Sequence, residues 1–439
     1  MGFLDLPSNL RHLILQMVLL GDQSNSQVLL VCRQIHQEGE PLLYHRPQIF
    51  ESQTQLFVWL ATIGWEHLHQ VNTLRLRLED VDTSDTKEYS ALTPGSTLPD
   101  DYEESWEQLD KAVHQLPGVK DLCLWKTTST HNQKRYSILY GQALRNVARW
   151  WPQLKYIAFQ GCEHPISFVK AIQEIERLSF TGFSTSSPME TEAIFSRLRH
   201  LKEINIILPQ QTFNTDAMEQ IDRSRSCLSL TRQVIKNIRG LKTFSICDTL
   251  NRPGDVPAFF TPDFLQALNA SHRIFLRTLR VWLDFKPGDS AESAFHSLIA
   301  SSSLHHLTAI WPGLDDQILR YLPKTLFTLR ISLPDNQPLE FGLGVVLKTR
   351  ETLKFLHEVV IVRQTKVCYH IFQLEQLHYS LSKAPITLEI LDIGMSLYND
   401  GVKAYLEYVA TVSDTPLTED FLPSLRPRCE GSSIPLWRI

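Results

Sequence analysis

One short apolar pattern recurs along most of the 439-residue chain and constrains its fold more than any other feature. Each copy consists of an apolar residue, two unrestricted positions, a second apolar residue, one unrestricted position and a third apolar residue. The last three positions alternate in the way expected of a β-strand with one buried face. The copies are Val71/Leu74/Leu76, Val119/Leu122/Leu124, Leu154/Ile157/Phe159, Ile175/Leu178/Phe180, Leu201/Ile204/Ile206, Leu241/Phe244/Ile246, Leu276/Leu279/Val281, Leu304/Leu307/Ala309, Leu326/Leu329/Ile331, Leu356/Val359/Ile361 and Leu388/Leu391/Ile393.

Helical patterns occupy the segments between these copies, so the sequence predicts an α/β fold with parallel strands and helices along one face. The pattern resembles the strand segment of leucine-rich repeats, with intervals often longer than the roughly 20–29 residues of the regular repeat. The resemblance implies an irregular leucine-rich-repeat-like solenoid, with parallel strands on its concave face and helices outside. A doubly wound α/β domain also alternates strands and helices and remains the alternative fold.

The first 50 residues follow a different, helical pattern. Pro7 suits the first turn of a helix, and Leu10, Leu13, Ile14 and Met17 recur at the spacing of one helical face. Two or three short helices enclose little core, so such a module is expected to pack on a neighbouring domain or a partner. A helical cap over the end of a repeat array is one reading of this segment.

Residues 6–14, 29–35 and 40–44 together resemble an F-box of the divergent type common in fungal proteins. The resemblance lies in the Leu6-Pro7 start and in the later run Leu30-Val31-Cys32-Arg33. It implies a docking surface for a Skp-type adaptor of a cullin–RING ubiquitin ligase. By position, the adaptor-binding residues would be Leu6, Pro7, Leu10, Ile14 and Val31.

We therefore predict an F-box-like helical module over residues 1–50 and an irregular leucine-rich-repeat-like domain over residues 51–412. Residues 413–439 are predicted to form a C-terminal cap or tail. Residues 79–107 interrupt the repeat pattern with a concentration of Asp and Glu and a single Lys87, which predicts a solvated acidic loop.

Charge and composition narrow the classes of partner. The formal charge of −5 does not favour binding to the nucleic-acid backbone, so we expect no nucleic-acid partner. The sequence contains no apolar run of about 18 residues, so we expect no segment that spans a membrane. Scattered cysteines suit a reducing compartment, so we expect a cytoplasmic or nuclear protein. No catalytic motif and no zinc-ligand spacing is present, and we predict a non-enzymatic protein without a metal or other cofactor.

The remaining functional prediction concerns the strands. In a leucine-rich array the residues between the strand apolar positions face the concave side, where exposed Trp and Arg make strong binding contacts. The predicted target-binding residues are Trp125, Gln160, Asn205, Arg280, Trp282 and Arg330. The function expected from the resemblance is that of a substrate-recognition subunit of a cullin–RING ubiquitin ligase, with an unknown protein as its target. The alternative is a repeat scaffold unrelated to ubiquitin, in which the N-terminal helices cap the solenoid.

Overall fold

The computed structural model describes residues 2–20, 26–79, 100–126, 138–160, 165–181, 186–208, 231–248, 260–283, 285–332, 353–363 and 387–392. The chain divides into two compact units, residues 1–175 and residues 176–439. Each unit combines parallel strands with helices, which confirms the predicted α/β class. The predicted C-terminal cap or tail, residues 413–439, lies outside the described residues.

Parallel strands follow one another in chain order within each unit. The strands are β1 (Gln48–Phe50), β2 (Thr73–Leu78), β3 (Asp121–Lys126), β4 (Tyr156–Gln160), β5 (Arg177–Thr181), β6 (Glu203–Leu208), β7 (Thr243–Asp248), β8 (Thr278–Leu283), β9 (His306–Ile310), β10 (Thr328–Ser332), β11 (Glu358–Arg363) and β12 (Thr387–Asp392). In the first unit β1 pairs with β2, β2 with β3 and β3 with β4. In the second unit each strand from β5 to β12 pairs with the next. Among the strands that the structure describes, the order within each unit does not reverse, as it does in a doubly wound sheet.

Helices separate most of these strands. The α-helices are α1 (Ser8–Leu20), α2 (Arg33–Tyr44), α3 (Gln53–Thr62), α4 (Trp65–Leu68), α5 (Asp100–His114), α6 (Ile138–Trp150), α7 (Pro188–Phe195), α8 (Arg232–Asn237), α9 (Pro262–His272) and α10 (Asp289–Ser301). Short 3₁₀ helices lie at Phe3–Asp5, Ser26–Leu30, Ile166–Ala171 and Asp316–Tyr321. Among the described residues, no helix is both long and apolar enough to cross a membrane.

Two helices begin at the same local signal, a hydroxyl residue followed by proline. The Ser187 hydroxyl accepts a hydrogen bond from the Glu190 N–H of α7 at 3.2 Å. The Thr261 hydroxyl accepts one from the Phe264 N–H of α9 at 3.3 Å. The proline that follows each cap loses nothing, because the first N–H groups of a helix have no partner within the helix.

The apolar pattern forms the core of both units. In the first ten copies, each described side chain at a pattern position is at most 3% exposed. These side chains pack against the helices: the ring centroids of Phe244 in β7 and Phe264 in α9 lie 5.3 Å apart. In the first unit, Phe159 of β4 and Phe168 of the following 3₁₀ helix lie 5.0 Å apart. The strand predictions of these ten copies are therefore confirmed.

Three features differ from the sequence prediction. Strand β1 was not predicted, because three residues are too few to show an alternating pattern. The acidic loop prediction is wrong over residues 100–107, which form the first half of α5, while residues 80–99 lie outside the described residues. The face of α5 that carries Leu109 and Val113 is buried, and this burial outweighs the local charge.

The third difference is the register of the last strand. The predicted copy Leu388/Leu391/Ile393 placed Leu391 at the second apolar position. In the structure Leu388 pairs with Val359 and Ile390 with Ile361, so the strand lies three residues earlier. The run 388–393 contains two successive apolar alternations, Leu388/Ile390 and Leu391/Ile393, and the pairing with β11 selects the first of them.

Candidate functional site

The N-terminal module, defined here as residues 3–44, has a small core of its own. The buried members of this core are Leu15, Leu19, Leu29, Ile35 and Leu42. Gly39 of α2 permits the close packing, because a Cβ atom there would lie 2.5 Å from Leu29 Cδ2 and 3.0 Å from Leu19 Cδ1. The module therefore packs α2 tightly against α1 and the short helix between them.

A single arginine joins the start of the module to its second helix. The Arg11 guanidinium donates from Nε to Glu38 Oε2 at 2.9 Å and from Nη2 to Glu38 Oε1 at 2.5 Å. Its Nη1 donates to the carbonyl oxygens of Leu6 and Leu4, the latter at 3.3 Å. The hydrogen bonds from Arg11 and Gln34, opposed by desolvation, lower the pKa of Glu38 to about 2. The Leu6-Pro7 start is thereby held on the helices by backbone as well as side-chain contacts.

Outside this core, the module exposes a dense group of large apolar side chains. We call these residues the apolar surface: Leu4, Leu10, Leu13, Ile14, Met17, Val18, Leu30 and Val31. The predicted residues Leu10, Ile14 and Val31 belong to it, Pro7 is exposed close to it in sequence, and Leu6 is half-buried. Single exposed apolar residues are normal on a protein surface. This module instead exposes eight large apolar side chains within 28 residues.

Five members of the apolar surface were not predicted. Leu13 and Met17 were assigned to the apolar face of the first helix, and Leu4, Val18 and Leu30 were not singled out. A signal did exist in the sequence, because α1 carries apolar residues around most of its circumference. A helix that is apolar all round needs more than one packing partner.

The predicted target-binding residues of the first unit lie on its last two strands. Trp125 of β3 is half-buried and pairs in register with the exposed Arg77 of β2. Gln160 ends β4, and its N–H donates to the Tyr140 hydroxyl at 2.8 Å. The same hydroxyl contacts the Leu124 carbonyl oxygen at 3.1 Å, so Tyr140 of α6 ties the ends of the two strands together. Trp125 and Gln160 are both half-buried, so each retains an exposed fraction.

In the second unit, register brings three of the predicted residues into one row. Asn205 pairs with Ser245, Ser245 with Arg280, and the row continues through Thr308 to Arg330. Arg280 and Arg330 are half-buried, and Arg330 Nη2 lies 3.2 Å from Glu358 Oε1. Trp282 lies two residues after Arg280, in the neighbouring row.

The prediction of exposure is wrong at two of these positions. Asn205 is 1% exposed and donates to Glu203 Oε1 at 2.9 Å, and Trp282 is 9% exposed. Ser245 and Thr308, which lie in the same row, are buried as well. Residue type alone cannot reveal this, because alternation in a strand shows which positions face away from the helices but not whether that second face is covered.

No group of three His, Cys, Asp or Glu side chains that could hold a metal ion occurs in the part of the chain that the structure describes. Compared with known proteins, the chain matches no protein-family model. It also matches no curated protein sequence. The functional argument therefore rests on the apolar surface and on the strand residues.

Proposed function

We propose that this protein is a substrate-recognition subunit of a cullin–RING ubiquitin ligase. Its N-terminal module would bind a Skp-type adaptor, and its parallel-strand repeats would bind a protein target. The observation that carries the proposal is the apolar surface, which includes Leu10, Ile14 and Val31 from the F-box-like segments. Apolar helical surfaces of this density are stabilised when a partner's helices cover them.

The internal contacts of the module support the same role. Arg11 and Glu38 hold the Leu6-Pro7 start against α2, so the apolar side chains of α1 are presented on a fixed frame. A preorganised surface loses less conformational entropy on binding than a mobile one. The proposed adaptor contacts are therefore Leu6, Pro7, Leu10, Ile14 and Val31, extended by Met17 and the other members of the apolar surface.

We further propose that the repeats form a leucine-rich-repeat-like solenoid. The strand order without reversal among the described strands and the buried first apolar residue of the first ten copies support this assignment. Among the predicted target-binding residues, Trp125, Gln160, Arg280 and Arg330 keep an exposed fraction. Ubiquitin transfer itself would occur on a different polypeptide, and this chain would contribute by holding the target near it.

A repeat scaffold with a helical cap is the second candidate, and one set of contacts favours it. The Tyr44 ring at the end of α2 stacks on His67, with ring centroids 4.7 Å apart and planes 7° apart. His45 Nδ1 lies 3.1 Å from Asn72 Nδ2, just before β2. The C-terminal end of the module thus packs on the first repeat as a cap does. The cap does not account for the apolar surface, which stays exposed in the full chain.

A pair of methionine substitutions distinguishes the two candidates. Met17 of α1 is 72% exposed, and Met189 of α7 is 81% exposed, so glutamate is tolerated sterically at both. We expect the full-length chain to bind a purified Skp-type adaptor in a pull-down. We expect Met17→Glu to abolish this binding and Met189→Glu to preserve it, with unchanged thermal stability in both variants. Failure of the unmodified chain to bind the adaptor, or equal binding by Met17→Glu, would refute the proposal. The repeat scaffold with a helical cap would then be the remaining candidate.

A further inference from the structure

One continuous row of residues runs along the edge where the strands of the second unit begin. Each member lies one position before a strand, and its N–H donates over 2.7–2.9 Å to the carbonyl oxygen of the residue in the same position before the preceding strand, which is Glu176 in the case of Lys202. We call this set the strand-start row: Lys202, Lys242, Arg277, His305, Phe327 and His357. The backbone ladder fixes their order, so they are neighbours in space although they are spread over 155 residues of sequence.

The first half of the strand-start row is basic, and the residue before it in the same backbone ladder is the acidic Glu176. Lys202 forms an ion pair with Glu176 at 2.6 Å, and Arg277 donates to the Ser303 carbonyl oxygen at 2.9 Å. Lys242 is exposed, and no described residue forms an ion pair with it. Arg239 and Arg273, in the turns before β7 and β8, are also exposed. These basic residues lie along one edge of the sheet, although the chain as a whole has a formal net charge of −5.

The second half of the row is aromatic. The His305 and Phe327 ring centroids are 4.9 Å apart, and those of Phe327 and His357 are 6.1 Å apart. Phe355 packs edge-on against Phe327 at 6.1 Å, yet it remains 55% exposed. Beside the basic half, Phe275 is also exposed. A group of packed aromatic rings with an exposed member offers a binding site for an apolar side chain.

A purely structural explanation covers only part of this arrangement. Helices in these repeats end at the same edge, and a positive charge in or after the last turn of a helix is stabilised by the helix dipole. This accounts for Arg273, which follows α9 directly. It does not account for Lys242 or Arg277, which belong to the strand ladder. Nor does it explain why Phe275 and Phe355 remain exposed instead of being replaced by polar residues.

We infer that the strand-start row binds an acidic protein segment that carries an aromatic or aliphatic side chain. The acidic residues would contact Lys202, Lys242 and Arg277, and the apolar side chain would pack on Phe327 and Phe355. Five strand spacings give the row a length of about 24 Å, which matches about seven residues of extended polypeptide. The inference deepens the proposed function, because it names the class of target that the repeats would recognise.

A protein segment fits this surface better than nucleic acid. The net charge of −5 opposes the approach of a long polyanion, whereas a short acidic segment interacts only over the screening distance of about 8 Å. The exposed aliphatic Ile274 next to Phe275 also suits a protein side chain better than a nucleobase. Nucleic-acid binding is therefore an outcome that would contradict the inference.

The test uses the full-length chain and three fluorescein-labelled probes in an anisotropy titration. The probes are a synthetic acidic peptide of Asp and Glu with one central Phe, the same peptide with Asn and Gln, and a single-stranded RNA oligonucleotide. We expect the acidic peptide to bind, the amide peptide and the RNA not to bind, and affinity to fall as salt is raised. Absence of acidic-peptide binding at low salt, or preference for the RNA, would overturn the inference.

Two charge reversals place the site on the molecule. Lys242→Glu changes the centre of the basic half, and we expect it to weaken peptide binding about tenfold. Lys286→Glu is the matched control, because Lys286 is exposed in the same unit but follows the opposite end of β8. Equal weakening by both variants would contradict the assignment to the strand-start row. Peptide binding requires no adaptor, so a failed adaptor pull-down and a failed titration are separate results.

Discussion

His272 is completely buried at the end of α9, and its protonation should destabilise the second unit. The Leu241 N–H donates to His272 Nδ1 at 3.4 Å, so Nδ1 must be the acceptor and Nε2 must carry the hydrogen. Nε2 then donates to the Ile235 carbonyl oxygen at 2.9 Å. The neutral ring thereby joins α8, α9 and the turn that leads into Lys242 of the strand-start row.

Burial lowers the pKa of His272 from its usual 6.5, although the hydrogen bond to the Ile235 carbonyl acts in the opposite direction. Below pH 6.5 the unfolded chain takes up a proton at this ring that the folded chain excludes. The free energy of unfolding therefore falls with decreasing pH between 6.5 and the lower folded-state pKa. One excess proton in the unfolded state gives a slope of about 1.4 kcal/mol per pH unit at its steepest.

The assay is denaturant unfolding at a series of pH values, comparing the unmodified chain with His272→Gln and His200→Gln. Glutamine keeps one donor and one acceptor but cannot be protonated, so His272→Gln should flatten the slope below pH 6.5. His200 is exposed before β6, and its substitution controls for the removal of a histidine side chain from the surface of the same unit. Identical slopes in His272→Gln and the unmodified chain would contradict the lowering of the His272 pKa by burial.

Two further predictions concern the Arg11–Glu38 ion pair of the first unit and the core of the second unit. Because Arg11 lowers the pKa of Glu38 from 4.5 to about 2, the ionised carboxylate stabilises the fold fully above pH 4.5, and this contribution is lost as the pH falls through about 2. Acid unfolding followed by circular dichroism should show a smaller acid dependence in Glu38→Gln. In the second unit, Phe295 is fully buried, and its ring centroid lies 5.2 Å from that of Trp311. Phe295→Ala should therefore lower the free energy of unfolding by about 3–5 kcal/mol. Phe355→Ala should cost much less in the same denaturant titration, and equal losses would contradict the assigned core.

The strand cores were predictable because their signal is local. A strand with one buried face must alternate, and the preceding apolar residue at Leu201 or Leu241 marks the turn that feeds it. The helix starts at Ser187 and Thr261 are local for the same reason, since cap and proline are adjacent in sequence. By contrast, the register of β12 is set by its pairing with β11, and residues 388–393 alone do not reveal that pairing.

The candidate surfaces were predictable only in part. The F-box-like segments drew attention to Leu10, Ile14 and Val31, and these residues do lie on the apolar surface. The expectation that Asn205 and Trp282 are exposed was wrong, because both are buried. The strand-start row was not predicted at all, since Lys202, Arg277 and His357 appear in the sequence as isolated surface residues.

By itself, the sequence determined which residues turn toward the helices, because burial of one strand face requires an apolar residue at every second position. Only the tertiary structure decided which of the remaining residues stay exposed and which become neighbours. Neighbours in a parallel sheet are separated by a whole strand–helix unit, so their adjacency exists only after the backbone ladder has formed. The apolar surface and the strand-start row are both consequences of that second step.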